Sequence, residues 1–474
     1  MFALAFLWPS RSLGYADFKY FTNLPCECVA AASSSGKYMP ERCGGEHMIF
    51  FVEVSKRTMN SLILSTLILI FEFVPVEFYS WPVIVAAAIL ILIVRPKFFF
   101  SSSNPVVPLL IVLITGFAFA SSNPILSVAK DLWYLAKPIA IISLGIMIAY
   151  MSKTDRRWVA HLAVVVIIVS IANMFESVSF EQAEDPIARP TSFIAAFAGP
   201  FIWKYYPSRS VSGLIFRVVV ILVVIAMIVL SQSRASILTF GVAWLAAYGA
   251  LQNSSRAVFV FGFLVFAITV FFPLLPQYDF GGQRFLAKLQ NSINEIMFES
   301  GETRVSMYRN WRGFEAYQAY KMWLDATLWQ KLVGFGHGSE IYLGRMVTFL
   351  GHDVESIHSI HNSYFGLLVK TGLLGVVAYL AFLFRPFSSK TRASNAAMEI
   401  YSRIVRGGAL ALLFTSALVS GPFNKSGLDG LLLIWSAAYG LLLLQAQKSR
   451  RRVHEARIRN PAQMGRLEGA AGKA

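Results

Sequence analysis

Between residues 61 and 445 the chain returns repeatedly to apolar runs of a dozen or more residues with hardly a charge in them. No other feature constrains the fold as much. Each run is close to the length a helix needs to cross hydrocarbon, and the runs lack the two-residue alternation of a lipid-facing barrel strand. In hydrocarbon every backbone N–H and C=O must find an internal partner, so such runs have to be helices. Composition closes off the soluble alternative: 56% of the 474 residues are hydrophobic and 14% charged, with a mean hydropathy of +0.58. The expected fold class is therefore all-α, a polytopic membrane protein with about twelve transmembrane helices. In a soluble protein the net charge of +16 would suggest nucleic acid. In a membrane chain the placement of the charges matters more than their sum, and no nucleic-acid partner is expected.

Runs bounded by charges or Gly/Pro clusters give the spans 61–73, 82–94, 106–120, 138–150, 158–175, 191–206, 218–230, 236–251, 257–274, 363–384, 407–419 and 428–445. The sixth is the weakest and is expected to be re-entrant or distorted at Gly199-Pro200. Alternate connections carry most of the Lys and Arg, while the other short set holds only Lys130, Lys137, Arg189, Arg234 and Lys425. The positive-inside rule then places both termini in the cytoplasm. The resulting organisation is a cytoplasmic segment 1–57, helices 1–9 over 58–274, a large periplasmic loop over 275–361, helices 10–12 over 362–446, and a basic cytoplasmic tail over 447–474. Segment 1–57 lacks both a span and the basic start of a signal peptide, and reads as a disordered tail or a mis-assigned start. It holds all three cysteines, Cys26, Cys28 and Cys43, in a spacing that is not a zinc ribbon.

The loop carries most of the polar chemistry. Ser300 and Glu302 look like a helix start, followed by Arg304, Tyr308, Trp311, Glu315 and Gln318 at helical spacing on one face. The loop is accordingly expected to be a small helical cap. Ser231 to Ser236, with Arg234 at its middle, breaks a long apolar region at the outer boundary, where a guanidinium could meet a diphosphate or simply mark the interface. Gly334 to Gly338, G-F-G-H-G, is followed by His352, His358 and His361-Asn362-Ser363-Tyr364. Asp353 and Glu355 are near, yet no metal-binding spacing such as H-E-x-x-H is present, and no metal is expected. Glycines alone are weak evidence for phosphate, whereas a histidine at a helix start beside arginines suits a general base. Lys370 lies inside the tenth span, where a charge costs about 2.5–3.5 kcal/mol near the centre. It could line a cavity, reach a lipid phosphate, form a structural ion pair or snorkel to the interface.

In order, S-R-A-S at Ser233 to Ser236, the Arg304 segment, G-F-G-H-G, and H-N-S-Y-F-G-L-L-V-K-T-G-L-L-G from His361 to Gly375 resemble the bacterial O-antigen ligase and polysaccharide polymerase family. The resemblance covers roughly residues 189–380. It implies a GT-C-like membrane glycosyltransferase of the bacterial inner membrane, moving a glycan from undecaprenyl diphosphate to an acceptor hydroxyl without metal or nucleotide cofactor. Carried over by motif, His361 is the catalytic residue, and Arg234, Arg304 and Arg189 bind the donor diphosphate. Asn362, Tyr308, His337 and Lys370 are supporting candidates. The implied partners are the lipid-linked glycan donor, a glycan or lipid acceptor, membrane lipid and polysaccharide export machinery. A polymerase is slightly preferred over a ligase. This chain departs from the pattern at Phe365, at Lys370, and before Met59. A transporter or flippase of lipid-linked sugars is the reading from another class, though such proteins tend to pair ionisable groups at the midplane and to show related halves.

Overall fold

The structure is a computed structural model that describes residues 19–22, 50–53, 56–74, 81–85, 87, 105–151, 158–181, 193–206, 210–231, 233–252, 255–256, 259, 262, 307, 310–349, 352–388, 396–418, 421–423 and 427–459. It is mostly helical. In chain order the helices are α1 (Lys56–Phe73), α2 (Val106–Thr115), α3 (Ile125–Met151), α4 (Trp158–Glu181), α5 (Phe193–Tyr205), α6 (Val211–Ser231) and α7 (Arg234–Ala247). They continue with α8 (Trp311–Leu324), α9 (Leu328–Val333), α10 (Ser363–Ser388), α11 (Ala396–Leu418) and α12 (Asp429–Arg459). Among the described residues α3, α6, α10 and the first twenty residues of α12 are long and apolar enough to cross a membrane. Shorter apolar helices lie within α1, α2, α4 and α7. Large apolar side chains on α6 point outward, among them Leu214, Ile215, Leu222 and Val229. Exposed rows of this kind need lipid, not water, as their solvent.

Packing within the bundle follows from small residues and continuous apolar faces. α3 lies along α12, where Gly145 and Gly440 let the backbones approach: a Cβ on Gly440 would lie 2.9 Å from Ile146 Cα. α5 sits between α4, α6 and α7, and every residue from Phe193 to Ile202 is buried. The helix runs through Gly199-Pro200, so the expected distortion is replaced by a short, continuous helix enclosed over its first ten residues. Pro is tolerated there because neighbouring groups can satisfy the carbonyl it leaves unpaired.

Two sequence expectations change. Lys137 is no connecting residue: α3 begins at Ile125 and continues past Pro138, placing Lys137 well inside a helix. There its Nζ lies 3.0 Å from Asp429 of α12 with both side chains buried. A lysine that looks like a boundary marker is a buried ion pair, because apolar neighbours on both sides extend the helix beyond it. The loop, expected to be helical, holds a two-stranded antiparallel hairpin, β3 (Ile341–Phe349) with β4 (His352–Ile357), bearing a register shift between Tyr342 and Val347. A second strand pair, β1 (Lys19–Thr22) with β2 (Phe50–Glu53), lies in the N-terminal segment. The expected helix start at Ser300 to Arg304 falls outside the described residues. The described cap helix α8 starts at Trp311, after Asn310.

Candidate functional site

The cap rests on the bundle through α8, which packs on α10 and β3, and through α9, which packs on α10. Phe314, Met307, Leu343 and Val347 form one small apolar core beneath it. Ala319, Ile341, Ile360 and Val369 form a second that joins cap to α10. Arg312 Nη1 donates to the Leu418 carbonyl, 3.3 Å away, tying the start of α8 to the end of α11.

Two polar sites result. The first is the entry to α10. Asn362 is the helix cap: its Oδ1 accepts from the backbone N–H groups of Tyr364 (3.0 Å) and Phe365 (3.4 Å). That places His361 just outside the helix, against Glu315 of α8. Glu315 Oε2 accepts from the His361 backbone N–H at 3.1 Å and lies 2.9 Å from its Nδ1. A carboxylate oxygen engaged by a backbone donor is an acceptor, so the ring proton belongs on Nδ1 and the lone pair on Nε2. Glu315 is buried at 4% side-chain exposure while His361 keeps 42%. The carboxylate is enclosed and the imidazole edge is open. A buried acid that fixes the tautomer of an accessible histidine is the arrangement by which a histidine becomes a directed base.

The second site is the G-F-G-H-G strap. Gly334, Gly336 and Gly338 all have positive φ (82°, 90° and 85°), a region L side chains rarely adopt. Its N–H groups are all directed at protein: Phe335 to the Val369 carbonyl (2.7 Å), Gly336 to Lys370 (3.2 Å) and His337 to Gly116 (2.7 Å). Gly338 donates to Asp131 Oδ2 (2.7 Å). Carbonyls within α10 are available because the helix breaks at Gly372 (φ 65°, ψ −167°). His337 is fully buried, with Nε2 2.8 Å from the Leu113 carbonyl and its ring edge-on to Phe117. Burial pushes its imidazole below the usual histidine range, against the opposing hydrogen bond to Leu113. Lys370 forms an ion pair with Asp131. His358 Nε2 lies 2.9 Å from the same Asp131 Oδ1, within ion-pair range but off the hydrogen-bond line. Asp131 therefore gathers the strap, the end of the hairpin and α10.

The residues singled out in the sequence are thus distributed. His361 and Asn362 are at the α10 entry, and His337 and Lys370 are in the strap. Arg234 opens α7, half-buried, behind Ser233, whose side chain accepts from the Ser236 N–H and hydroxyl. The S-R-A-S motif is thus a helix start with the guanidinium in its first turn. Arg189, Arg304 and Tyr308 lie outside the described residues. Asp353 and Glu355 bond within the hairpin, to Thr348 (2.7 Å) and Tyr342 (2.9 Å). The Glu355 bond raises the Tyr342 phenol above its ordinary value.

Sequence reading gave no role to Glu315 or Asp131. Glu315 stands on the helical face shared with Trp311 and Gln318, but its partner lies 46 residues away. Asp131 is an acid six residues into α3, a signal visible only once that helix is known to begin at Ile125.

No curated protein matches the chain. Residues 218–380 match the family model described as O-Antigen ligase, a stretch that includes Arg234, Glu315, the strap, His361 and the first part of α10. Residues 218–380 thus carry a segment of the O-antigen ligase kind.

Proposed function

We propose that the protein is a metal-independent, inverting glycosyltransferase. It moves a glycan from undecaprenyl diphosphate to an acceptor hydroxyl on the periplasmic face of the inner membrane, with both termini cytoplasmic and the chain crossing the membrane about twelve times. The observation that carries this reading is the His361–Glu315 pair, an open imidazole held by a buried carboxylate, inside the family-matched segment.

In the reaction, Nε2 of His361 removes the acceptor hydroxyl proton as the oxygen attacks the anomeric carbon. The bond from that carbon to the diphosphate oxygen breaks, and the leaving group carries away the electron pair. One displacement inverts the anomeric centre. Glu315 is the positioning residue: it holds Nδ1–H and stabilises the imidazolium that forms. Arg234 places a guanidinium in the first turn of α7, where the helix N-terminus also favours an anion. With Arg304 and Arg189 it binds the diphosphate and offsets the charge that develops on it. The preferred acceptor is a second lipid-linked glycan, which makes the enzyme a polymerase. A finished glycan passed to a lipid acceptor would make it a ligase working through the same residues.

The test is transfer by purified protein from undecaprenyl-diphosphate glycan, with the anomeric configuration of the product read by NMR. An inverted linkage is expected; absence of any transfer, with translocation of the lipid-linked sugar instead, would move the protein to the flippase class. Deletion in cells separates the two acceptors: single lipid-linked repeat units accumulate without a polymerase, and complete chains without a ligase.

A further inference from the structure

The α8–α9 elbow presents an apolar edge that the proposed chemistry does not use. Leu328 and Trp329 are 72% and 68% exposed, with Leu324 exposed beside them. This is no loose loop. Thr327 and Gln330 form a reciprocal capping box at the start of α9, and Trp323 Nε1 donates to the Lys331 carbonyl at 3.0 Å, closing α9 against α8. Holding large apolar side chains rigidly in water is unfavourable, and clustered exposure of this kind marks a contact surface.

The surroundings identify the contact. α9 packs on α10, and the strap bonds to α10 and to Gly116 after α2. A Cβ on Gly372 would lie 2.4 Å from the Leu332 carbonyl carbon, so α9 touches α10 immediately before the exposed Leu373 and Leu374 of that membrane-crossing helix. Further along, Gly336 abuts Phe119, and Gly338 abuts Val128 and Asn123. These neighbours lie beside exposed Phe117 at the end of α2 and exposed Leu126 at the start of α3. α9 and the strap thus adjoin exposed apolar side chains of α10 and of the connection from α2 to α3. Trp so placed, between Lys321 and Lys331, has the composition of an interfacial anchor: an amphipathic ring at headgroup depth and amines within reach of lipid phosphate.

We infer that the α8–α9 elbow is a membrane-docking edge of the cap, with Leu328 and Trp329 inserted into the headgroup layer of the leaflet on the cap's own side. Lipid contact then holds α9, and with it the strap that seats the cap, against the rim of the bundle.

The experiment uses the full chain with Cys26→Ser, Cys28→Ser and Cys43→Ser, a single nitroxide at Leu324→Cys, Leu328→Cys or Trp329→Cys, and a reference nitroxide at Met346→Cys on the exposed hairpin. Each protein is reconstituted in phosphatidylethanolamine and phosphatidylglycerol vesicles, and collisions with oxygen and with a water-soluble nickel chelate are measured. The ratio of oxygen to nickel collisions is expected to be several-fold higher at the elbow than at residue 346. A ratio equal to that at 346 would put the elbow in open water and overturn the inference. Protection from both reagents would overturn it in favour of a second copy of the chain or another protein. The chain with its native elbow gives an independent reading: a phospholipid bearing a photoreactive group near its headgroup should crosslink within residues 324–329, and absence of adducts there would contradict docking.

Discussion

Residues 334–338 lie in the large loop and residues 361–364 at its junction with α10, and each stretch sets a histidine among small or polar residues in a way that invites a ligand. The structure gives them opposite characters. In the strap every backbone donor meets a protein acceptor and His337 is sealed against the Leu113 carbonyl. At the α10 entry one acid takes two donors from His361 and leaves the far edge of the ring open. A polar group that is enclosed and held by protein partners contributes to where things are; one that is anchored on one side and open on the other can react. The strap builds the platform, and the entry to α10 is where the proposed chemistry belongs.

Substitutions can break that contrast. The largest effect is expected at His361. His361→Ala should lower transfer by about 10²- to 10⁴-fold, the usual contribution of a positioned base, while the protein still reaches the membrane and binds lipid-linked donor. Steady-state transfer at equal folded protein checks this. Glu315→Gln keeps the size of the side chain but loses the charge that steadies an imidazolium. Transfer is expected to fall by about 10- to 10²-fold, in kcat more than in donor KM. A rise in donor KM with kcat unchanged would show Glu315 acting in binding instead.

On the strap side the readout changes from rate to stability. Gly336→Ala must adopt a φ of 90° and place a Cβ 2.5 Å from the Phe119 carbonyl carbon, with a backbone cost of about 1–3 kcal/mol before the clash is counted. Thermal unfolding in detergent should shift to lower temperature, with transfer per folded molecule largely kept. The smallest change belongs to Asn362→Ser, which exchanges one good helix cap for another and should alter stability by no more than about 0.5 kcal/mol. A large loss of transfer there would give Asn362 a part in the chemistry beyond capping.

Much of this arrangement was legible in the residues. The apolar runs announced a helical membrane protein, S-R-A-S announced a break between two apolar runs, and His361-Asn362 announced the entry to α10. What the residues hid has a common physical cause, since each case depends on a partner distant in sequence. Glu315 was visible on its helical face, but only folding brings it to His361. Lys137 looked like a boundary charge because Asp429, nearly 300 residues away, neutralises it within the bundle. Lys370 had several readings until Asp131 chose one. The hairpin was missed for a different reason: the helical spacing around Trp311 and Glu315 was extended over the whole loop, although Ile341, Leu343 and Val347 stand at the odd positions a half-buried strand would use.

Chemical rescue tests whether His361 acts as the base through its open nitrogen. The assay measures transfer from purified undecaprenyl-diphosphate glycan in detergent with excess EDTA, comparing wild type with His361→Ala in rising concentrations of free imidazole. Because the ring it replaces is 42% exposed, a small imidazole can enter the space left behind. The wild type is expected to be indifferent to EDTA, His361→Ala to be nearly inactive, and imidazole to restore part of its transfer without affecting wild type. Wild-type rates from His361→Ala without imidazole would contradict the base role, and EDTA-sensitive transfer by the wild type would reassign the chemistry to a metal.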